Sequence, residues 1–192
     1  EYWRCYEPHF PKKTVFIPFP IVVGERPNIP DTPPDRLNLF IGISKSRSAY
    51  KGTDIMLRAA ETVKERYPDK LNLKLVTGLP FDEYVRTMLG SDAIMDQLYS
   101  YTPSMNPLEA MAHGIICIGG GEPENYAILN ETVLHPIINV LPTYESCVEE
   151  LTKLVNNLSL VPSLRRQSYE YVHKHHDFIK VAQAYSELYR GL

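Results

Sequence analysis

Cysteine is scarce in this sequence, and its spacing excludes cross-linking as the source of stability. The 192 residues contain only Cys5, Cys117 and Cys147, far apart and without a Cys-x-x-Cys pair. We therefore expect neither a disulfide framework nor a structural zinc site. Cys117 lies in an apolar run and is predicted to be a buried thiol. Such cysteine use is typical of a reducing compartment, so we expect a cytoplasmic location.

Long apolar runs and an excess of positive charge are also lacking. No stretch reaches the roughly 18 apolar residues that predict a membrane span, and we expect no signal peptide. Lysine and arginine number 20 against 23 acidic residues, which gives a formal net charge of −3. Duplex-DNA binders normally carry a basic excess, so no nucleic-acid partner is expected. Because the first residue is Glu1 and not Met, we expect a fragment of a longer protein.

Prolines divide the chain into two parts. Half of the 16 prolines lie within residues 1–35, which we predict to be an extended lead-in or interdomain linker region without helix. Residues 14–19 form a short strand-like run inside it. We place the main boundary near Asp35, so that residues 36–192 form one globular domain.

Strand and helix patterns alternate after that boundary. The predicted strands are residues 37–44, 71–77, 93–98, 115–118 and 136–140. The predicted helices are residues 53–66, 81–89, 107–113, 123–129, 143–157, 162–175 and 178–190. Strands that alternate with helices over short connections indicate an α/β fold, here a Rossmann-like parallel sheet with helices on both faces. The last three helices follow one another and are predicted to be appended to the sheet.

Small and charged residues follow the predicted strands. Parallel sheets bind ligands beyond the carboxyl ends of their strands. Three cations follow the first strand, Gly78 follows the second, Asp96 the third, and Gly120, Gly121 and Glu124 the fourth. The three cations are Lys45, Arg47 and Lys51. Small residues let an anion approach backbone N–H groups, and cations neutralise it. Neither GxGxxG nor GxxxxGK[ST] is present, which argues against a nicotinamide dehydrogenase and a P-loop NTPase.

The segment of residues 104–114, SMNPLEAMAHG, allows two interpretations. In the first, Asn106 caps a helix that begins at Pro107, Glu109 reaches back to the Asn106 backbone, and Gly114 ends the helix. This accounts for the polar residues by capping alone. In the second, the same helix N-terminus binds a diphosphate at the sheet edge, and Glu109 accepts hydrogen bonds from ribose hydroxyls.

The run LEAMAHGIICIGGGEPE resembles the nucleotide-sugar-binding half of family-4-like GT-B glycosyltransferases (glycosyl transferases group 1). SDAIMDQL at residues 91–98 and KGTD at residues 51–54 are similar to motifs of the same group. The resemblance covers roughly residues 36–190. It implies one half of a GT-B fold, with an active site in the cleft between two domains. Such folds often need no metal, so the resemblance also implies no metal and no cofactor, with a nucleotide-diphosphate sugar as the donor substrate.

The resemblance also implies roles for individual residues. Glu109 would hold the donor ribose, Lys51 the diphosphate, and Lys45 would stand where the family usually has arginine. Arg47 would compensate by supplying the planar, two-pronged guanidinium donor that lysine lacks. The remaining implied donor contacts are the backbone of Ser104, Met105 and Asn106, then Gly78, Gly120, Gly121 and Glu124.

One family residue is replaced here. The carboxylate that the family places eight residues before Glu109 is Tyr101 in this chain, which puts the donor-sugar contact in doubt. Asp96 is a candidate substitute with a catalytic role, although a turn at the strand end explains it as well. The other catalytic groups are expected in a domain that this chain lacks.

We therefore expect the donor-binding domain of a glycosyltransferase that moves a hexosyl group from a nucleotide-diphosphate sugar to an acceptor, with retention by family likeness. The chain alone should bind a nucleotide sugar weakly and transfer nothing. Its expected partner is the missing acceptor domain, onto which the last helix would cross back. Peripheral membrane association of the full enzyme is left open, and the resemblance implies a role in polysaccharide biosynthesis. The alternatives are a nucleotide-sugar epimerase of the same fold and a non-catalytic nucleotide-sugar-binding module.

Histidines supply two further candidates. His173 to Asp177 (HKHHD) could form a metal patch, but we predict a solvated helix end. His113 is expected to end a helix, where a cation suits the helix dipole.

Overall fold

The computed structural model describes residues 2–44 and 46–191, and its centre is a five-stranded, wholly parallel sheet. The strand order is β2-β1-β3-β4-β5. The strands are β1 (Leu37–Ile43), β2 (Leu71–Thr77), β3 (Ala93–Met95), β4 (Ile116–Gly119) and β5 (Ile138–Asn139). The α/β fold class predicted from the sequence is confirmed.

The helices connect these strands and extend beyond the last of them. One helix, α1 (Tyr2–Tyr6), lies in the lead-in. The helices among the strands are α2 (Ser48–Lys51), α3 (Thr53–Arg66), α4 (Phe81–Leu89), α5 (Met105–Ala112) and α6 (Pro123–Ile128). The chain then forms α7 (Tyr144–Asn156), a 3₁₀ turn (Leu158–Leu160), α8 (Val161–His175) and α9 (Phe178–Arg190). Within the described ranges, no helix is both long and apolar enough to cross a bilayer.

Side-chain alternation on β1 explains why helices cover both faces of the sheet. Leu37, Leu39 and Ile41 point into a core with α3 and α7, while Phe40 points into a second core with α4 and α5. All four side chains are fully buried. The parallel register of β1 with β2 runs from Leu37–Leu71 to Ile43–Thr77. Near-continuous apolar strands are therefore required here, as the sequence shows.

Two elements near the functional edge depart from the sequence prediction. The third strand was predicted to reach residue 98 but ends at Met95, because the chain then leaves the sheet and Leu98 N–H donates to the Lys51 carbonyl at 2.7 Å. Helix α2 was not predicted. It ends at Gly52, whose φ of 71° favours glycine, and an added Cβ there would lie 2.8 Å from Leu98.

The lead-in was predicted to lack helix, and this prediction was wrong at its start, where α1 forms. Residues 14–19, predicted as strand-like, form no strand. At Ile21 the lead-in forms a β-bridge with the sheet domain, because Ile21 exchanges backbone hydrogen bonds with His176 and Phe178 at 2.7 and 2.9 Å. Ile21 is buried there against the junction of α8 and α9.

The solvated histidine segment predicted at residues 173–177 was also wrong in part. His175 donates to the buried carboxylate of Glu131 at 2.5 Å, and Lys174 reaches the same carboxylate at 2.7 Å. His176 is only 6% exposed. Lys174 and His175 thus anchor α8 to the loop before β5, and His176 donates to the Phe19 carbonyl of the lead-in at 3.0 Å.

Candidate active site

A cleft of about 840 Å³ opens at the carboxyl ends of β1, β2 and β3. The chain leaves β1 toward α2 and α3 on one face, and leaves β3 toward α5 on the other. Connections that diverge in this way create a crevice between neighbouring parallel strands, where open α/β sheets bind ligands. Among the predicted site residues, the cleft is lined by Arg47, Lys51, Gly78, Asp96 and Asn106.

An ion pair joins the two sides of this crevice. Lys51 Nζ at the end of α2 lies 2.8 and 3.0 Å from the two carboxylate oxygens of Asp96, which follows β3. The Asp96 side chain is nearly buried, and that of Lys51 is about one-fifth exposed. Strand ends alone suggested that Asp96 could be a turn residue. In the structure Asp96 lines the cleft and accepts hydrogen bonds from Lys51.

Asp96 also accepts two hydrogen bonds from the start of α5. Ser104 Oγ donates at 2.9 Å, and Asn106 Nδ2 donates at 2.8 Å. The predicted cap was therefore wrong: Ser104, with extended backbone, precedes the helix, and Asn106 is its second residue. Pro107 then falls at the third position, where a missing N–H breaks no intrahelical bond. The backbone N–H groups at Met105 and Asn106 begin the helix, which gives this end of the cleft a partial positive charge.

Tyr84 of α4 forms another wall and was not identified from the sequence. Its hydroxyl accepts from Asn106 Nδ2 at 2.8 Å, and its ring packs edge-on against Phe40 at 5.1 Å between centroids. Burial, and secondarily the charge of Asp96, raise the pKa of Tyr84 to about 12, although the Asn106 hydrogen bond opposes the shift. Gly42 on β1 makes room for this ring, because an added Cβ would lie 2.5 Å from it.

The other predicted donor residues near the first two strands have different placements. Arg47 immediately precedes α2, while Lys45 lies outside the described residues. Gly78 has a φ of 66° and lines the rim, with no atom within 4 Å of an added Cβ. Gly78 thus combines a backbone conformation that favours glycine with open space at the cleft.

Glu109 does not line this cleft in the described part of the chain. It lies one turn into α5, and its carboxylate is 3.4 Å from His113 Nε2 in an i,i+4 pair. It therefore does not make the predicted contact to the Asn106 backbone. His113 follows the last helical residue, as predicted.

The glycines after β4 are packed instead of open. A Cβ on Gly120 would lie 1.8 Å from the Ser100 carbonyl oxygen, and one on Gly121 would lie 2.6 Å from Ile137. Both glycines are buried. Close backbone packing thus explains them without a ligand, and neither lines the cleft among the described residues.

Glu124 is engaged by Arg4 of α1, a contact that no sequence pattern indicated. Arg4 Nε donates to the Glu124 carboxylate at 2.7 Å. A second guanidinium nitrogen of Arg4 also contacts Glu124, and it lies 3.2 Å from the Glu122 carboxylate. The guanidinium carbon lies 3.8 Å from the centre of the Tyr101 ring. The hydrogen bonds lower the pKa of Glu124. Tyr101, where the resembling family carries a carboxylate, is only 5% exposed. The lead-in therefore covers the region where a donor sugar was expected.

A second, largely apolar groove of about 660 Å³ lies between the lead-in and the loop after β3. Its lining is dominated by aromatic side chains, namely Trp3, Tyr6, Phe10, Phe16, Phe19 and Tyr101. Several of them, such as Phe10 and Phe19, are more than half exposed. The groove is adjacent to the cleft along the chain, since residues 101–103 line one and Asn106 lines the other. Among the described residues, no group of three or more His, Cys, Asp or Glu is placed to hold a metal ion.

Comparisons with solved structures define the class of this fold. The chain is similar to sucrose-phosphate synthase from Thermosynechococcus elongatus, with a TM-score of 0.65, 14% identity and coverage of 98% of this chain and 55% of that one. It is also similar to Anabaena HepE in complex with UDP and glucose, with a TM-score of 0.56, 14% identity and coverage of 82% and 49%. No protein-family model and no curated protein matches the chain.

A third likeness is to an isolated domain. The C-terminal domain of a glycosyl transferase group 1 protein (LpcC) from Francisella tularensis matches with a TM-score of 0.51, 17% identity and coverage of 75% of this chain and 88% of that one. By contrast, the chain spans about half the length of sucrose-phosphate synthase and HepE. The chain therefore has the fold of one half of a GT-B glycosyltransferase, its C-terminal domain. The resemblance found in the sequence is confirmed at the level of the fold.

Proposed function

We propose that this chain is the donor-binding half of a glycosyltransferase and that its cleft binds a nucleotide-diphosphate sugar. The observation that carries the proposal is the convergence of Lys51, Arg47 and the start of α5 on one cleft at the carboxyl edge of the sheet. Two cations and a helix N-terminus suit a diphosphate. HepE, which shares the fold, has been solved in complex with UDP and with UDP-glucose.

In this proposal the diphosphate would lie beside Lys51, Arg47 and the start of α5. Lys51, Arg47 and Lys45 would together neutralise its charge. The backbone N–H groups at residues 104–106 would donate hydrogen bonds to its oxygens. The same cations would stabilise the charge that develops on the leaving diphosphate during transfer. Gly78 leaves space for the ribose or base. Glu109 would accept hydrogen bonds from ribose hydroxyls after turning away from His113, a movement that its partly exposed side chain allows.

The second half of the enzyme would contribute the acceptor site and the remaining catalytic groups. The exposed aromatic side chains of the groove support this, because large exposed apolar patches mark interaction surfaces. Tyr185 and Tyr189 on α9 are exposed as well. The whole enzyme would transfer a hexosyl group with retention, while this chain alone would bind the donor and transfer nothing. Cys117 and Cys147, buried free thiols, support a cytoplasmic location.

Calorimetric titration of the chain with UDP, GDP and their sugars tests the donor site. We expect binding that Lys51→Ala weakens roughly tenfold or more, because a hydrogen bond to a charged group contributes about 1.5–3 kcal/mol. Glu109→Ala should weaken binding of nucleotides but not of inorganic pyrophosphate. Lys153→Ala is the matched control, since Lys153 pairs with Glu149 and Glu150 on the exposed face of α7. Equal binding by all four proteins would contradict the proposal.

A non-catalytic nucleotide-sugar-binding module is a second candidate, favoured by Tyr101. In place of a carboxylate, the chain carries an aromatic ring covered by Arg4. Such a module would bind the nucleotide sugar through the same cleft but would leave it intact. Assay of the full-length protein for release of nucleoside diphosphate separates the two, because turnover requires an enzyme and its absence with intact binding indicates a module.

A further inference from the structure

Phe81 is an exposed aromatic side chain at the rim of the cleft. It is the first residue of α4, it lines the cleft, and 75% of it is exposed. Leu79, two residues earlier, lines the same rim and is 40% exposed. Exposed apolar residues occur elsewhere on this chain, so exposure alone has no functional meaning. The position matters here, because these apolar groups lie in the same cleft as Lys51 and Arg47.

Tyr84 supplies a fixed aromatic neighbour for Phe81. Residues three apart in a helix lie on the same face, so the two rings belong to one side of α4. Tyr84 is held by Asn106, by Phe40 and by the missing Cβ of Gly42. Phe81 lacks such restraints on most of its surface. The cleft therefore has a cationic region at Lys51 and Arg47 and an aromatic region at Tyr84 and Phe81. In the aromatic region, Tyr84 is fixed by its contacts and Phe81 is open to solvent.

The occupant that fits both regions is charged at one end and flat and apolar at the other. We infer that Phe81 stacks on the nucleobase of a nucleoside diphosphate whose phosphates lie at Lys51 and the start of α5. This inference rests on the proposed function and identifies a residue that, together with Glu109, selects nucleotides over simple anions. Every base presents a π-face, so stacking tolerates different bases. Phe81 then contributes affinity for the nucleoside without determining which base is bound.

Paired ligands separate the two regions experimentally. UDP carries phosphates and a base, whereas inorganic pyrophosphate carries the phosphates only. We expect Phe81→Ala to weaken UDP binding about tenfold in calorimetric titration and to leave pyrophosphate binding unchanged, since base stacking on an aromatic residue contributes roughly that factor. Phe178→Ala is the matched control, because Phe178 is likewise the partly exposed first residue of a helix, α9. It should leave the binding of both ligands unchanged.

A tryptophan variant gives a direct readout of stacking. Phe81→Trp should keep UDP affinity within about threefold of the original, and its emission, above that of the single native Trp3, should be quenched by UDP but not by pyrophosphate. Unchanged UDP binding by Phe81→Ala would overturn the inference. An equal loss for UDP and pyrophosphate would also overturn it, since Phe81 would then act through the shape of the cleft. Failure of the unaltered chain to bind either ligand would instead overturn the proposed function together with the inference.

Discussion

Lys51 and Asp96 neutralise each other across the crevice between β1 and β3. The Lys51 ammonium contacts both oxygens of a carboxylate that Ser104 and Asn106 also approach. Asp96 thus receives four hydrogen bonds from three residues and fixes the ends of α2 and α5 relative to each other. A diphosphate that enters the cleft meets a lysine whose charge is already partly compensated.

Asp96→Asn is therefore expected to strengthen anion binding. Asparagine retains an acceptor for Ser104 or Lys51 but removes a negative charge beside the diphosphate, so the affinity for UDP should rise at least threefold. Lys51→Met should lower it roughly tenfold, and titration of the double variant measures the coupling between the two residues. Weaker binding by Asp96→Asn would show that Asp96 contributes mainly by orienting the two helices.

Gly120 should tolerate no side chain. An added Cβ would overlap the Ser100 carbonyl oxygen, which is backbone and cannot rotate away, so Gly120→Ala should destabilise the fold by about 2 kcal/mol or more. Gly24→Ala is the control, because no atom lies within 4 Å of its added Cβ. That variant should be neutral or slightly stabilising. Urea unfolding of both variants measures the difference, and equal midpoints would contradict the close packing.

His176 should make stability depend on pH in the mildly acidic range. Burial and, less strongly, His175 lower the pKa of His176 to about 4, although a hydrogen bond to the Phe19 carbonyl opposes the shift. In the unfolded chain, the His176 imidazole is therefore protonated below about pH 6.5, whereas in the folded chain it is protonated only below about pH 4. Stability is lost as the pH falls through this window, by up to about 3 kcal/mol.

The pH effect can be assigned with one variant. His176→Asn keeps a donor for Phe19 and removes the titration, so its unfolding free energy should vary less between pH 6.5 and 4 than that of the unaltered chain. His9→Gln, which replaces an exposed histidine, should leave the dependence unchanged. A parallel pH dependence in the His176→Asn chain would exclude the imidazole as its source.

Glu131 should be important for stability despite lying outside the cleft. Burial alone would raise its pKa, but hydrogen bonds from Lys174, His175 and the backbone at Val133 and Leu134 outweigh burial and lower the pKa below the usual range. Its contribution is thus present above about pH 4.5 and is lost as the pH falls toward the depressed folded value.

Glu131→Gln tests this cluster. The amide preserves shape but removes the charge from a fully buried side chain, and we expect a loss of about 2–3 kcal/mol in unfolding free energy at pH 7. Glu149→Gln, in an exposed pair with Lys153, should change stability by less than about 1 kcal/mol. Similar losses in the two variants would show that burial of Glu131 has no special effect.

Local sequence patterns predicted the sheet domain because its strands and helices are governed by short-range signals. The apolar stripe of α3, bounded by Gly52 and Pro68, predicts a helix over the residues where it forms. The start of α5 was displaced by two residues because Ser104 and Asn106 both donate to Asp96. A tertiary acceptor ten residues away is not visible in a capping pattern.

The unpredicted parts of the site depend on contacts between distant segments. Arg4 meets Glu124 across 120 positions of sequence, and His176 meets Phe19 across 157. No spacing rule connects such pairs. A histidine-rich run near a helix end is predicted to be solvated, because the sequence does not show that Glu131 contacts it in the fold. Tyr84 was overlooked because its role requires Gly42 and Asn106, which belong to two other elements.

The strand order β2-β1-β3-β4-β5 has a consequence for how this protein can diverge. The crevice arises because the chain turns to opposite faces after β1 and β3, so backbone topology creates it whichever side chains are present. Side chains that line the crevice can then change without closing the space. Proteins that share only about one residue in seven can therefore keep the same fold while the side chains at the carboxyl ends of their strands differ.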